Sequence, residues 1–228
     1  MPQFKSNSSL HDFQELIKEI YGVPDDRLFS LSDLISNLER FTMRSLKGIR
    51  KQDKKKLELN LLISLSWLMA IANRLHVNTY EIVLNRFPYV CSYCKRCPCV
   101  CKSKKYQRRK KSQQGMITKK MSINDLQEMF QKIYPSTSRS ISDAGVHLAE
   151  ETGELSEACH NFQGEHKSNQ FLYINNEIAD YVSCIFGVAN SMEISVSEGL
   201  EKMYKNSCHM CHKSPCQCNF SYIAQFNS

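Results

Sequence analysis

Residues 148–157 read Leu-Ala-Glu-Glu-Thr-Gly-Glu-Leu-Ser-Glu, and Glu177-Ile178-Ala179-Asp180 follows them. Glu151 and Glu154 stand three positions apart, as do Glu177 and Asp180, so on helices each pair shares one face. Leu148, Leu155 and Ile178 beside them are apolar, which predicts helices that pack rather than stand free in water. Packed together, the pairs aim four carboxylates at one point. Such a group repels itself and is costly to bury unpaired. A hard divalent cation relieves both costs, and Mg²⁺ prefers oxygen ligands while keeping waters that substrate phosphates can replace.

Outward from this stretch the helical period continues. Ile178, Val182, Ile185, Phe186 and Ala189 form one stripe, and Val196, Leu200 and Met203 form the next. Leu126, Met129, Phe130 and Ile133 precede them, as Phe13, Leu16, Ile17 and Ile20 do near the start. Ser142-Asp143 sits where the N-cap of the carboxylate helix is expected. Glycine and proline are scarce and no run alternates as a strand would, so the expectation is all-α. The most apolar stretch, Leu57–Leu75, is interrupted by Glu58, Asn60, Ser64, Ser66 and Asn73, which fits a core helix rather than a bilayer span. Met1–Ser9 is polar and lacks the apolar core of a signal peptide. A cytoplasmic chain without membrane contact is expected.

The cysteines show internal repetition. Cys91, Cys94, Cys99 and Cys101 recur 117 residues later as Cys208, Cys211, Cys216 and Cys218, and Pro98 recurs as Pro215. The offset holds back to Ala72-Asn73 and Ala189-Asn190. It is 113 for Asp12-Phe13-Gln14-Glu15 against Asp125-Leu126-Gln127-Glu128, and 110 for Ser32-Asp33 against Ser142-Asp143. This is the pattern of a tandem duplication with indels in loops. The predicted domains are 1–101, a basic linker at 102–121, a second repeat at 122–220 and a tail at 221–228. The linker has nine Lys and Arg, no acid and no apolar periodicity, as mobile chain does. Charge divides with the repeat. Residues 1–120 carry 24 Lys and Arg against 10 Asp and Glu, and residues 121–228 carry 6 against 13.

Each cysteine set has the spacing Cys-x₂-Cys-x₄-Cys-x-Cys. In a reducing compartment four neighbouring thiolates suit structural Zn²⁺ better than disulfides. Cys97, His209 and His212 are possible substitute ligands, and an iron–sulfur cluster is the alternative occupant. Cys159 and Cys184, on predicted helices, read as core residues.

The acidic phrase resembles the all-α nucleoside triphosphate pyrophosphohydrolases, the MazG and dCTPase-like superfamily. Their signature is Glu-x-x-Glu, a gap, then Glu-x-x-Asp, here Glu151/Glu154 and Glu177/Asp180 within Glu-Glu-x-Gly-Glu-Leu. Lys202-Met203-Tyr204-Lys205-Asn206 matches a later family element. The resemblance covers residues 125–206 and, more faintly, the first repeat. With the repeat it implies two MazG-like four-helix units closing a pseudo-dimeric bundle, to which the cysteine spacing adds a Cys₄ zinc knuckle at the end of each, and further homo-oligomers are compatible with it. It also implies Mg²⁺-dependent cleavage of a nucleoside triphosphate to monophosphate and pyrophosphate. Glu151, Glu154, Glu177 and Asp180 would hold Mg²⁺, Lys202 and Asn206 would contact phosphates, and Glu150 or Glu157 would serve as outer carboxylate or general base.

The first repeat is an internal control. Opposite Glu151, Glu154, Glu177 and Asp180 it has Phe41, Arg44, Asn60 and Ile63, and opposite Lys202 and Asn206 it has Asn85 and Tyr89. It should fold without hydrolysing anything, and Arg40, Arg44, Lys47, Arg50 and Lys51 are its candidates for reaching phosphates held by the second repeat. Phe162, Tyr134 and His147 are the candidates for facing a base. The alternative function is a non-catalytic nucleotide sensor, or a binder of nucleic acid through Lys95, Arg96, Lys102, Tyr93, Tyr106 and the linker. No standard nucleic-acid-binding motif accompanies that charge.

Overall fold

The computed structural model describes residues 4–101 and 120–219. They form eight α-helices and a 3₁₀ turn, with no strand among the described residues. The helices are α1 (Leu10–Leu28), α2 (Leu31–Arg50), α3 (Lys54–Arg74), α4 (Thr79–Arg86), α5 (Ile123–Ile133), α6 (Ile141–Glu165), α7 (Ser168–Ser191) and α8 (Val196–Met203). The predicted linker, residues 102–121, and the tail, 221–228, lie almost wholly or wholly outside the described residues.

Four helices begin with the same device. Ser9/Asp12, Ser30/Asp33, Ser122/Asp125 and Ser140/Asp143 each form a capping box, in which serine accepts the N3 amide and aspartate accepts the cap amide. The cap of α6 is therefore Ser140, two residues before the expected Ser142-Asp143, and Asp143 is the N3 partner. Serine occupies the cap position because its Oγ reaches an orphan amide there, whereas Ser142 already lies inside the helix.

Buried hydrogen bonds recur at the sequence offsets. Gln14 donates to Asn73 Oδ1 and the Val77 carbonyl, and accepts from the Thr79 amide. Gln127 makes the same set with Asn190, Ile194 and Val196. Thr42 and Thr152 each donate to the carbonyl four residues back, at Leu38 and Leu148.

The helical hairpins α2–α3 and α6–α7 pack against one another through α2 on α6 and α3 on α7. Gly48 lets α2 approach α3 so closely that a Cβ there would lie 2.9 Å from the Leu57 backbone. The short fourth helices cross over: α4 packs on α7, while α8 packs on α3 and α5. The knuckles cross as well. The Cys99 amide donates to the Ile133 carbonyl at 2.8 Å, and the Cys216 amide donates to the Ile20 carbonyl at 2.7 Å. One continuous apolar core runs through both halves. Leu61, Leu65, Leu68 and Ile71 of α3 are fully buried within it, and no helix is long and apolar enough to cross a membrane among the described residues.

One difference between the halves matters for the site. In α1, Pro24 is accommodated and the helix runs on to Leu28. In the second half, Pro135 follows Tyr134 directly, and the residue before proline is pushed out of helical conformation, so α5 stops at Ile133. A 3₁₀ turn at Ser136–Ser138 then leads to Arg139.

Candidate functional site

Glu151 of α6 and Glu177 and Asp180 of α7 offer carboxylate oxygens that lie within 4.8 Å of one another. The helix spacing puts Glu177 and Asp180 on one face of α7, and the α6–α7 hairpin turns that face toward Glu151. Asp180 is 7% exposed. Arg86 arrives from α4: its Nε donates to Asp180 Oδ1 at 3.0 Å, Nη2 pairs with Oδ2, and Nη1 donates to Asn176 Oδ1 at 3.0 Å. Burial opposes the charge on Arg86, but Asp180, with Glu177 and Glu151 behind it, raises its pKa.

Glu151 is in the opposite condition. Its Oε2 is buried with no hydrogen-bond partner. Burial, then repulsion from Asp180, Glu154 and Glu177, lifts its pKa to about 8, with Arg86 offsetting part of the rise. Three carboxylates against one guanidinium leave two formal negative charges, which matches a divalent cation. All-oxygen donors and an orphaned buried oxygen fit Mg²⁺.

Two of these acids, Glu151 and Asp180, open into a cavity of about 510 Å³, within the roughly 300–1,000 Å³ of small-molecule sites. Glu151 and Asp180 line it together with Phe87, Tyr134, Arg139 and His147, and the first cysteine knuckle supplies a wall through Cys91, Cys99 and Cys101. So α4 and the first knuckle bring residues of the first half to acids of the second.

Arg139 lies against α7 at Gly187, where a Cβ would overlap its Nη2. Its Nε and Nη2 are buried without a partner, and burial pulls its pKa below the ordinary value.

The corresponding place in the other half is almost closed, with a cavity of about 70 Å³. Ile63 stands there for Asp180, Trp67 for Cys184, Phe29 for Arg139 and Ala70 for Gly187. Phe29 meets Trp67 edge-on, with ring centroids 5.5 Å apart. The first half thus has neither the space nor the acids.

The remaining sequence candidates are dispersed. Glu154 is exposed and outside the 4.8 Å cluster, though close enough to Glu151 to raise its pKa. Glu150 and Glu157 are exposed, and Glu150 Oε2 lies 4.0 Å from His147 Nε2. Lys202 and Asn206 line a separate groove with Lys5, Ser6, Glu198 and Glu201. They are carried away from the acids because α8 packs on α3 and α5. Arg40 and Arg44 lie over the Phe41 ring, and Arg44, Lys47 and Lys51 border another groove beside Asn60. Arg50 is exposed and lines none of these. Of the three base candidates, Tyr134 and His147 reach the cavity, whereas Phe162 packs on His166 and Phe171. Arg86, Asn176 and Arg139 were not anticipated. The one signal for Arg139 was its replacement by Phe29 at the matching position of the first repeat.

Each cysteine quartet converges. Sγ separations are 3.7 Å for Cys91–Cys101 and 3.9 Å for Cys94–Cys99, and 3.8 Å for both Cys208–Cys218 and Cys211–Cys216. Tetrahedral Zn²⁺ with Zn–S of about 2.3 Å requires sulfurs about 3.8 Å apart. The thiols are free, and both quartets could hold zinc. Cys97 is exposed, and His209 Nδ1 is 3.1 Å from Tyr21 Oη, so neither belongs to a quartet; His212 is likewise outside. Cys159 and Cys184 are buried.

Comparison with protein families, curated proteins and solved structures finds no match to this chain.

Proposed function

We propose that the chain is a Mg²⁺-dependent nucleotide pyrophosphohydrolase of the all-α MazG and dCTPase-like kind, built as a pseudo-dimer of two four-helix units with one competent site. The observation that carries this reading is the convergence of Glu151, Glu177 and Asp180, two of which line a cavity of nucleotide size, with an orphaned oxygen on Glu151.

Glu151, Glu177 and Asp180 would hold the ion. When bound it supplies charge stabilisation for phosphoryl oxygens and a water of lowered pKa. Arg86 balances part of the acidic charge and can exchange the Asp180 carboxylate for a phosphate oxygen, since a guanidinium binds both in the same forked manner. Glu154, one turn beyond Glu151 and open to solvent, takes the proton from the attacking water. Water adds to phosphorus, the bridging P–O bond breaks, and pyrophosphate leaves with that electron pair. Aromatic Phe87 and Tyr134 offer apolar surface to the nucleoside.

One observation favours a non-catalytic sensor: the Arg86 ion pair itself neutralises Asp180. It does not explain Glu151, which is half-buried among like charges.

The test is pyrophosphate release from a panel of deoxynucleoside and ribonucleoside triphosphates with Mg²⁺. The expected result is equimolar monophosphate and pyrophosphate, abolished by chelation. No turnover of any nucleotide, with unchanged nucleotide binding, would leave the sensor.

A further inference from the structure

Arg139 is a half-buried cation that the hydrolytic chemistry does not use. It is placed on the cavity wall by the early end of α5 and the 3₁₀ turn that follows. Gly187 gives it room, because any side chain there would overlap Nη2. Nε and Nη2 form one side-on edge of the guanidinium, with two parallel N–H groups. Both nitrogens are buried without an acceptor. Donors left unsatisfied in this way are costly, and native structures keep them where a partner arrives from outside the chain.

Position narrows what that partner is. Asp180 and Gly187 lie seven residues apart on α7, or about 10 Å along the helix axis. Arg139 is thus separated from the acids by roughly two helical turns, a distance that a nucleoside can span from its phosphates. Tyr134 and Phe87 flank the same space. The first half shows the alternative: Phe29, Trp67 and Ala70 occupy the positions of Arg139, Cys184 and Gly187, and the cavity shrinks to about 70 Å³.

We infer that Arg139 reads the base of the bound nucleotide, presenting its Nε–Nη2 edge to a base that carries two adjacent hydrogen-bond acceptors. Guanine offers O6 and N7, and cytosine offers O2 and N3. Adenine places an amino group beside N7, and thymine and uracil alternate acceptor with donor, so neither can accept both bonds. The inference rests on the nucleotide reading of the site, and it names the substrate class within it.

Two measurements on the full chain separate the claims. The first is kcat/KM with Mg²⁺ for dCTP, dGTP, dATP and dTTP. The second is equilibrium binding of the four corresponding monophosphates, which needs no turnover. Wild type should favour dCTP or dGTP over dATP and dTTP by about 5- to 100-fold, the discrimination of one bidentate base contact. Whichever of the two is preferred identifies the base. Arg139→Met and Arg139→Lys should level the four substrates, Lys because it keeps the charge without the fork. Gly187→Ala should do the same with Arg139 still present, since its Cβ displaces the guanidinium. Melting temperatures of the variants establish that they fold. Hydrolysis of all four at equal rates by wild type, or a preference unchanged in Arg139→Met, would overturn the inference and leave the hydrolase standing. Base-selective binding without any turnover, lost in Arg139→Met, would sustain it and remove the hydrolase.

Discussion

Asp25 is buried beside Arg74 in the closed half, and its pKa is pushed up to about 7, chiefly by burial, with Arg74 lowering and Asp26 raising it. In the unfolded chain it titrates near 3.8. The folded state therefore binds the extra proton between these values, and stability falls as pH rises from about 4 through about 7. Three pKa units correspond to something of the order of 4 kcal/mol. Asp25→Asn should remove this slope and stabilise the protein at pH 8, as read from urea unfolding midpoints across pH. Arg86 makes the converse case. Its ion pair with Asp180 is buried, with side chains 12% and 10% exposed, so Arg86→Met strands a carboxylate at a cost of about 3–5 kcal/mol. Melting of this variant in chelator should show the loss, and Mg²⁺ should restore more stability to it than to wild type.

Among the elements, the pairing of α2 with α3 is the most sterically defined. A Cβ at Gly48 would meet backbone atoms of Leu57, which cannot swing aside. Gly48→Ala is expected to destabilise by about 1–3 kcal/mol. Gly153 of α6 has nothing within 4 Å, and Gly153→Ala should stabilise by up to about 1 kcal/mol through helix propensity. Thermal melting of the two variants checks both signs. Helices and their starts were legible because the causes are local: a Ser-x-x-Asp box and a 3.6-residue stripe lie within a dozen residues. The two i,i+3 pairs, three of whose four acids cluster with Glu154 left outside, were legible for the same reason. Arg86 was not, since it reaches Asp180 from 94 positions away in sequence, and only the crossing of α4 onto α7 makes them neighbours. The packing of α8 on α3 and α5 likewise carries Lys202 and Asn206 to another groove. Tyr134 and His147 reach the cavity through the same tertiary packing that excludes Phe162.

At the scale of the molecule, each half borrows from the other. The first knuckle walls the cavity of the second half, whereas the second knuckle docks on α1 beside the closed pocket. Loss of a cysteine from either should therefore have unequal effects. Cys94→Ser and Cys211→Ser should each reduce bound zinc from two per chain to one by elemental analysis. Only Cys94→Ser should also raise KM, because only it disturbs the wall beside Glu151 and Arg139. Both halves carry a cysteine quartet, but the clustered acids and the open space are in one half only. The most direct measurement of the composite site is product analysis of a preferred nucleoside triphosphate incubated with Mg²⁺ and wild type, Glu151→Gln or Asp180→Asn. Wild type should give monophosphate and pyrophosphate in equal amounts, and each variant should lose about 100-fold or more of that rate, an effect of about 2.7 kcal/mol on the barrier. Orthophosphate as the product, or variants as fast as wild type, would contradict the assignment.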